Sequence, residues 1–167
     1  MLHRRILLIA PIVIVLIATA MFLYNLFAPE PAPIVLIDYA RSVSIPYDQA
    51  EDFLKNREGV QYLWFCDASV DCLFVNDNAL RPIALESRTS DFVEFVFVDM
   101  SNLKRSVTPS RLNSQWGFSN YPAFVSLQYV ENEKEILSVL QWEYRNPIGL
   151  DNLREWMKEN NIYQGVN

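Results

Sequence analysis

Cys66 and Cys72 are the only thiols in the 167-residue chain, with five residues between them. They are too few for a disulfide scaffold or a zinc site built from thiolates, so the available cysteine chemistry is that of one pair. The single histidine, His3, precedes a long apolar run. A folded part beyond that run therefore has no histidine for a triad, a zinc site or a general base. Four glycines, Gly59, Gly117, Gly149 and Gly165, cannot supply a glycine-rich phosphate loop or a dinucleotide fingerprint, which makes nucleotide chemistry an unpromising reading. Glu131 to Glu135 reads as a solvated turn, because a hard cation needs oxygen ligands from several convergent segments. No metal and no other cofactor is expected.

What must position the cysteines is a folded domain behind a membrane address. Hydrophobic residues make up 51% of the chain and charged residues 20%, enough apolar surface to build a core. From Ile6 to Phe27 no residue is charged, and as a helix that length matches a hydrocarbon layer of about 30 Å. His3, Arg4 and Arg5 precede the run and no Lys or Arg follows before Arg41, which places the N-terminus in the cytoplasm and the domain outside. Ala18-Thr19-Ala20 resembles a cleavage site, but the apolar run continues through Tyr24, and an uncleaved anchor is the preferred reading. Beyond the run, 12 Lys and Arg stand against 20 Asp and Glu, a balance of −8 that disfavours nucleic acid. The expected organisation is a cytoplasmic stub and transmembrane anchor over 1–28, a proline-rich spacer over 29–33, extended in the polyproline manner, and one domain over 34–167.

Within that domain the pattern alternates strand and helix. Ile34 to Ile37, or the segment Val43 to Ile45, offers a first strand, and Pro46 to Asn56 carries Tyr47, Ala50, Phe53 and Leu54 at helical spacing. Val60 to Phe65 reads as a buried strand, Asn76 to Glu86 as a helix kinked at Pro82, and Phe92 to Val98 as a central parallel strand. Pro109 to Trp116 predicts a short helix, Ala123 to Val130 and Ile136 to Trp142 a hairpin, and Leu150 to Asn160 an amphipathic closing helix.

This order, with particular residues, resembles the thioredoxin fold. A cysteine-containing turn follows directly on the strand Gln61-Tyr62-Leu63-Trp64-Phe65, a central strand ends in Val98-Asp99, and the chain closes with a hairpin and a helix. The most specific feature is Trp116-Gly117-Phe118-Ser119-Asn120-Tyr121-Pro122, similar to the aromatic-Gly-x-x-x-x-Pro entry to a strand in thioredoxin-like proteins. The resemblance covers about Pro46 to Asn161. It implies a three-layer α/β/α domain on a mixed sheet, behind the transmembrane helix. It also implies a cis Pro122 facing the site and a Tyr121 backbone that meets an extended peptide or a mixed-disulfide partner.

The cysteines depart from the family pattern, which has two residues between them. By distance from the strand, Ser69 takes the place of the nucleophilic cysteine and Cys72 that of the resolving one. With an enlarged turn, Cys66 becomes the nucleophile and Cys72 its resolver. Asp67 and Asp71 oppose a thiolate at either position. Two readings follow. One is an accessory module that holds a protein or peptide partner at Tyr121, Pro122, Trp116 and Ser69, with Trp64 and Phe118 also in the groove, above a stable Cys66–Cys72 disulfide. The other is a thiol-disulfide oxidoreductase in which Cys66 and Cys72 are catalytic.

Overall fold

Side chains alternate along each strand, and that alternation divides the core into two layers. In the computed structural model, which describes Thr19, residues 43–88, Phe92 and residues 94–163, five strands form one sheet. They are β1 (Val43–Pro46), β2 (Gln61–Cys66), β3 (Phe95–Asp99), β4 (Ala123–Val130) and β5 (Glu133–Gln141). The chain divides into two compact units, Met1–Leu36 and Ile37–Asn167, and every described residue but Thr19 lies in the second. Apart from Thr19, the apolar run from Ile6 to Phe27, the proline spacer and the alternative first strand at Ile34 to Ile37 fall outside the described residues. No helix among the described residues is long and apolar enough to cross a membrane.

The strands lie in the order β1-β3-β2-β4-β5. β1 and β2 run parallel to β3, whereas β4 runs antiparallel to both β2 and β5. This mixed sheet is the arrangement that the thioredoxin resemblance implies. A 3-10 turn (Tyr47–Gln49) leads into α1 (Ala50–Lys55), and α2 (Val70–Val75), α3 (Arg81–Ser87), α4 (Pro109–Trp116) and α5 (Leu150–Glu159) complete the layers. One layer joins Trp64, Phe95, Phe97 and Phe124 to α2, α3 and α5. The other joins Leu63, Phe65, Val96, Val98 and Val125 to α1 and α4. Odd and even positions of one strand therefore serve opposite faces, as a pleated sheet covered on both sides requires.

Three expectations are corrected. The helical stretch after β2 begins at Val70 rather than Asn76, and its irregularity is a π turn, Asn76–Leu80, ahead of Pro82. Pro82 has no amide hydrogen and its ring crowds the carbonyl four residues back, so a wider turn there relieves both demands. The turn of the hairpin is only Glu131-Asn132, both at positive φ (52° and 69°), which suits a two-residue connection between twisted strands. Glu133, Lys134 and Glu135 therefore belong to β5 and not to a solvated turn. The central strand starts at Phe95, three residues later than its apolar run suggests, and Glu94 lies exposed before it.

Candidate functional site

β2 ends at Cys66, and the short turn after it delivers the chain to α2, where Cys72 occupies the third helical position. The two cysteines are joined by a disulfide with Cα atoms 5.8 Å apart. Cys66 retains 1% of its surface and Cys72 3%, so both sulfurs sit within the layer that also holds Trp64 and Phe97. The Met100 amide donates to the Cys66 carbonyl at 2.8 Å, fixing the end of β2 to the residue that follows β3.

Ser69 is the N-cap of α2. It has extended backbone, and its Oγ accepts the Cys72 amide at 3.4 Å. The residue at the start of the helix, where a thiol would gain most from free amides, is thus a hydroxyl that satisfies one of them. Asp67 ties the rest of the turn. Its amide donates to Cys72 Sγ at 3.1 Å and its Oδ1 accepts the Ser69 amide at 2.8 Å.

The Tyr121-Pro122 peptide bond is cis, as the resemblance implies. Pro122 accepts the Trp142 amide through its carbonyl at 2.8 Å, and Gln141 Oε1 accepts the Ser119 amide at 2.9 Å. These bonds attach the proline segment to the end of β5. Burial raises the pKa of the Tyr121 hydroxyl, and the charge of Asp67 together with a hydrogen bond to it acts in the same direction.

A groove of about 420 Å³ opens beside this segment, with Asp71, Leu103, Val107, Tyr121, Trp142 and Tyr144 on its walls. Phe74 extends the apolar surface through an edge contact to Trp142, with ring centroids 5.7 Å apart. Val70 and Tyr144 are 78% and 94% exposed.

The other expected groove residues lie elsewhere. Trp116 is buried in the opposite layer from the disulfide, against Phe65 and Tyr47. Its Nε1 donates to the Tyr47 hydroxyl at 3.3 Å, and that hydroxyl donates to Gln115 Oε1 at 2.9 Å. Lys134 Nζ covers the Trp116 ring at 4.1 Å and pairs with Glu51 at 3.7 Å. Phe118 is buried beside Phe65, and Trp64 is buried against Phe97 and Phe124. Of the expected set, Ser69, Tyr121 and Pro122 stand with the cysteines. Trp142 and Tyr144 on the groove wall, and Phe74 against Trp142, were not singled out as groove residues in the sequence. Their signal was Val70 and Phe74, four apart and apolar on the exposed side of a helix that the cysteine turn introduces.

No protein-family model and no curated protein matches the chain. Among solved structures it is similar to the thioredoxin of Trichomonas vaginalis, at 16% identity over 72% of this chain and 96% of that one, with a TM-score of 0.42. It is similar to the reduced C-terminal domain of Neisseria meningitidis DsbD, at 15% identity over 70% and 99% of the two chains, with a TM-score of 0.44. It is similar also to Chlamydomonas reinhardtii thioredoxin f2, at 13% identity over 75% and 96%, with a TM-score of 0.44. The thioredoxin-like assignment of the fold is carried by the strand order and by the position of the cysteine turn after β2.

Proposed function

We propose that the chain is a membrane-tethered, extracytoplasmic thioredoxin-like module that holds an extended protein or peptide segment in the groove beside Tyr121 and Pro122. In this reading Cys66–Cys72 is a stabilising disulfide with little or no turnover. The observation that carries it is the burial of both sulfurs under a turn whose helix-capping position is Ser69. Exchange begins when a thiolate attacks a disulfide sulfur, and a sulfur without access is a poor target. Closing so short a loop restricts the unfolded chain by roughly 2 kcal/mol, a useful gain in an oxidising compartment. The exposed Val70, Phe74 and Tyr144 supply the contact surface. The tether and the location rest on the uncharged run from Ile6 to Phe27 and on the arginines ahead of it.

A second reading, a thiol-disulfide oxidoreductase using Cys66 and Cys72, is favoured by the position of the pair beside the groove. Reduction of insulin by dithiothreitol, with and without the full chain in detergent, tests between them. The module reading predicts no acceleration. Catalysed reduction that is abolished by Cys72→Ser would transfer the assignment to the oxidoreductase.

A further inference from the structure

Pro46 and Asp99 are the last residues of β1 and β3 and are partners in the register of those parallel strands, so the loops that follow them leave the sheet side by side. Between the two loops lies a second cavity, of about 400 Å³. That volume is in the range of small-molecule sites, and the carboxyl ends of parallel strands are where a rigid sheet presents its loops to a ligand.

One wall of the cavity is apolar and already ordered. Trp116, 2% exposed, and the half-buried Tyr47 meet edge to face with ring centroids 6.4 Å apart. Trp116 Nε1 donates to the Tyr47 hydroxyl at 3.3 Å, which donates in turn to Gln115 Oε1 at 2.9 Å. Pro46 and Val107 extend this wall. Rings held by packing and by hydrogen bonds give an apolar ligand body a surface that costs little to order.

The polar wall carries both signs of charge, and they are left apart. Glu51 pairs with Lys134 at 3.7 Å, and Asp99 Oδ1 accepts the Ser101 amide at 2.9 Å. Lys104, Arg111 and Asp48 line the same cavity, yet among the described residues none of these three side chains has an ion pair or a hydrogen bond. Two cations and a carboxylate that face one space without meeting are complementary to a ligand bearing both charges. A ligand with one charge would satisfy one side and meet its own sign on the other.

We propose that this cavity binds a free amino acid with an apolar side chain. Its carboxylate lies at Lys104 and Arg111, its ammonium at Asp48 and Asp99, and its side chain against Tyr47 and Trp116. Arg111 suits the carboxylate, because a guanidinium can meet both oxygens at once. The proposal is independent of the groove reading, since neither Tyr121 nor Pro122 lines this cavity.

The experiment is isothermal titration calorimetry of the full chain in detergent, with titrations into detergent alone subtracted. The probes are L-phenylalanine, 3-phenylpropionate, which lacks the ammonium, and phenethylamine, which lacks the carboxylate. L-phenylalanine is expected to saturate one site with a Kd below about 10 mM and to bind at least about tenfold more tightly than either analogue, the factor set by one charge-assisted contact. Arg111→Gln and Asp48→Asn are each expected to weaken L-phenylalanine roughly tenfold. Both side chains are exposed and unpaired among the described residues, so both variants should melt with the parent chain. No saturable binding of L-phenylalanine would overturn the proposal. An analogue that binds within about threefold of it would show that one charge suffices, and variants that bind like the parent would put the ligand elsewhere. Either result would overturn it as well.

Discussion

Trp64 and Phe124 stack with their rings 3° from parallel and their centroids 5.8 Å apart, across the antiparallel pairing of β2 with β4. Phe124 also packs on Phe95 and Trp156, so one side chain joins three elements of the layer that encloses the disulfide. Phe124→Ala is expected to cost about 3–5 kcal/mol, a transfer loss plus a cavity that its aromatic neighbours cannot fill. Urea unfolding monitored by tryptophan fluorescence measures it, and a loss below about 1 kcal/mol would mean that this layer is not closely packed.

Gly117 ends α4 at φ +80°, and a Cβ there would lie 3.0 Å from Val139 Cγ2. Gly117→Ala therefore meets both a left-handed backbone and a close neighbour on β5, and a loss of about 1–3 kcal/mol is expected in the same unfolding assay.

The Tyr129 hydroxyl is buried with no hydrogen-bond partner among the described residues. Tyr129→Phe should stabilise the protein by up to about 1 kcal/mol at neutral pH, because it removes an unpaid desolvation. Burial raises the pKa of Tyr47, Tyr121 and Tyr129 alike. Unfolded tyrosines release protons near pH 10 while the folded ones keep theirs, so stability falls as pH rises from about 10 through the higher folded values. Lys134 opposes this, since burial lowers its pKa and the unfolded chain binds the extra proton below its own pKa of about 10.4. Three tyrosines outnumber one lysine, and a net alkaline loss is expected that Tyr129→Phe makes shallower. Thermal melts from pH 8 to 11 check the sign.

Ser69→Cys places a thiol at the cap of α2, with two residues between it and Cys72. The introduced thiol is expected to react with iodoacetamide at neutral pH, whereas the unchanged chain takes up none without denaturant. It should also confer measurable insulin reduction, because the helix end favours a thiolate there. A variant as inert as the parent would show that the missing cysteine is not what limits exchange.

Much of the architecture was legible because its signals are local. The strand Ala123–Val130 and the helix Pro109–Trp116 begin and end where proline, glycine and the apolar pattern place them. The order of strands and helices follows from the same periodicity. Other features depend on contacts that no local pattern encodes. A nearly continuous apolar run from Phe92 does not say that pairing begins only at Phe95 with β2 and at Val96 with β1. Trp116 stands beside the proline segment in sequence, yet its indole points to the opposite face because α4 packs on α1 and β5. Asp67 read as a charge opposed to a thiolate. In the structure its carboxylate accepts the Ser69 amide, and its amide serves the sulfur.

The role proposed for Cys66–Cys72 is that of a stabilising disulfide rather than a working redox pair. Its most direct test equilibrates the full chain in detergent with glutathione buffers of graded potential and titrates the disulfide fraction by alkylation and mass. A midpoint below about −300 mV is the predicted result, and one above about −250 mV, in the range of exchanging pairs, would contradict it.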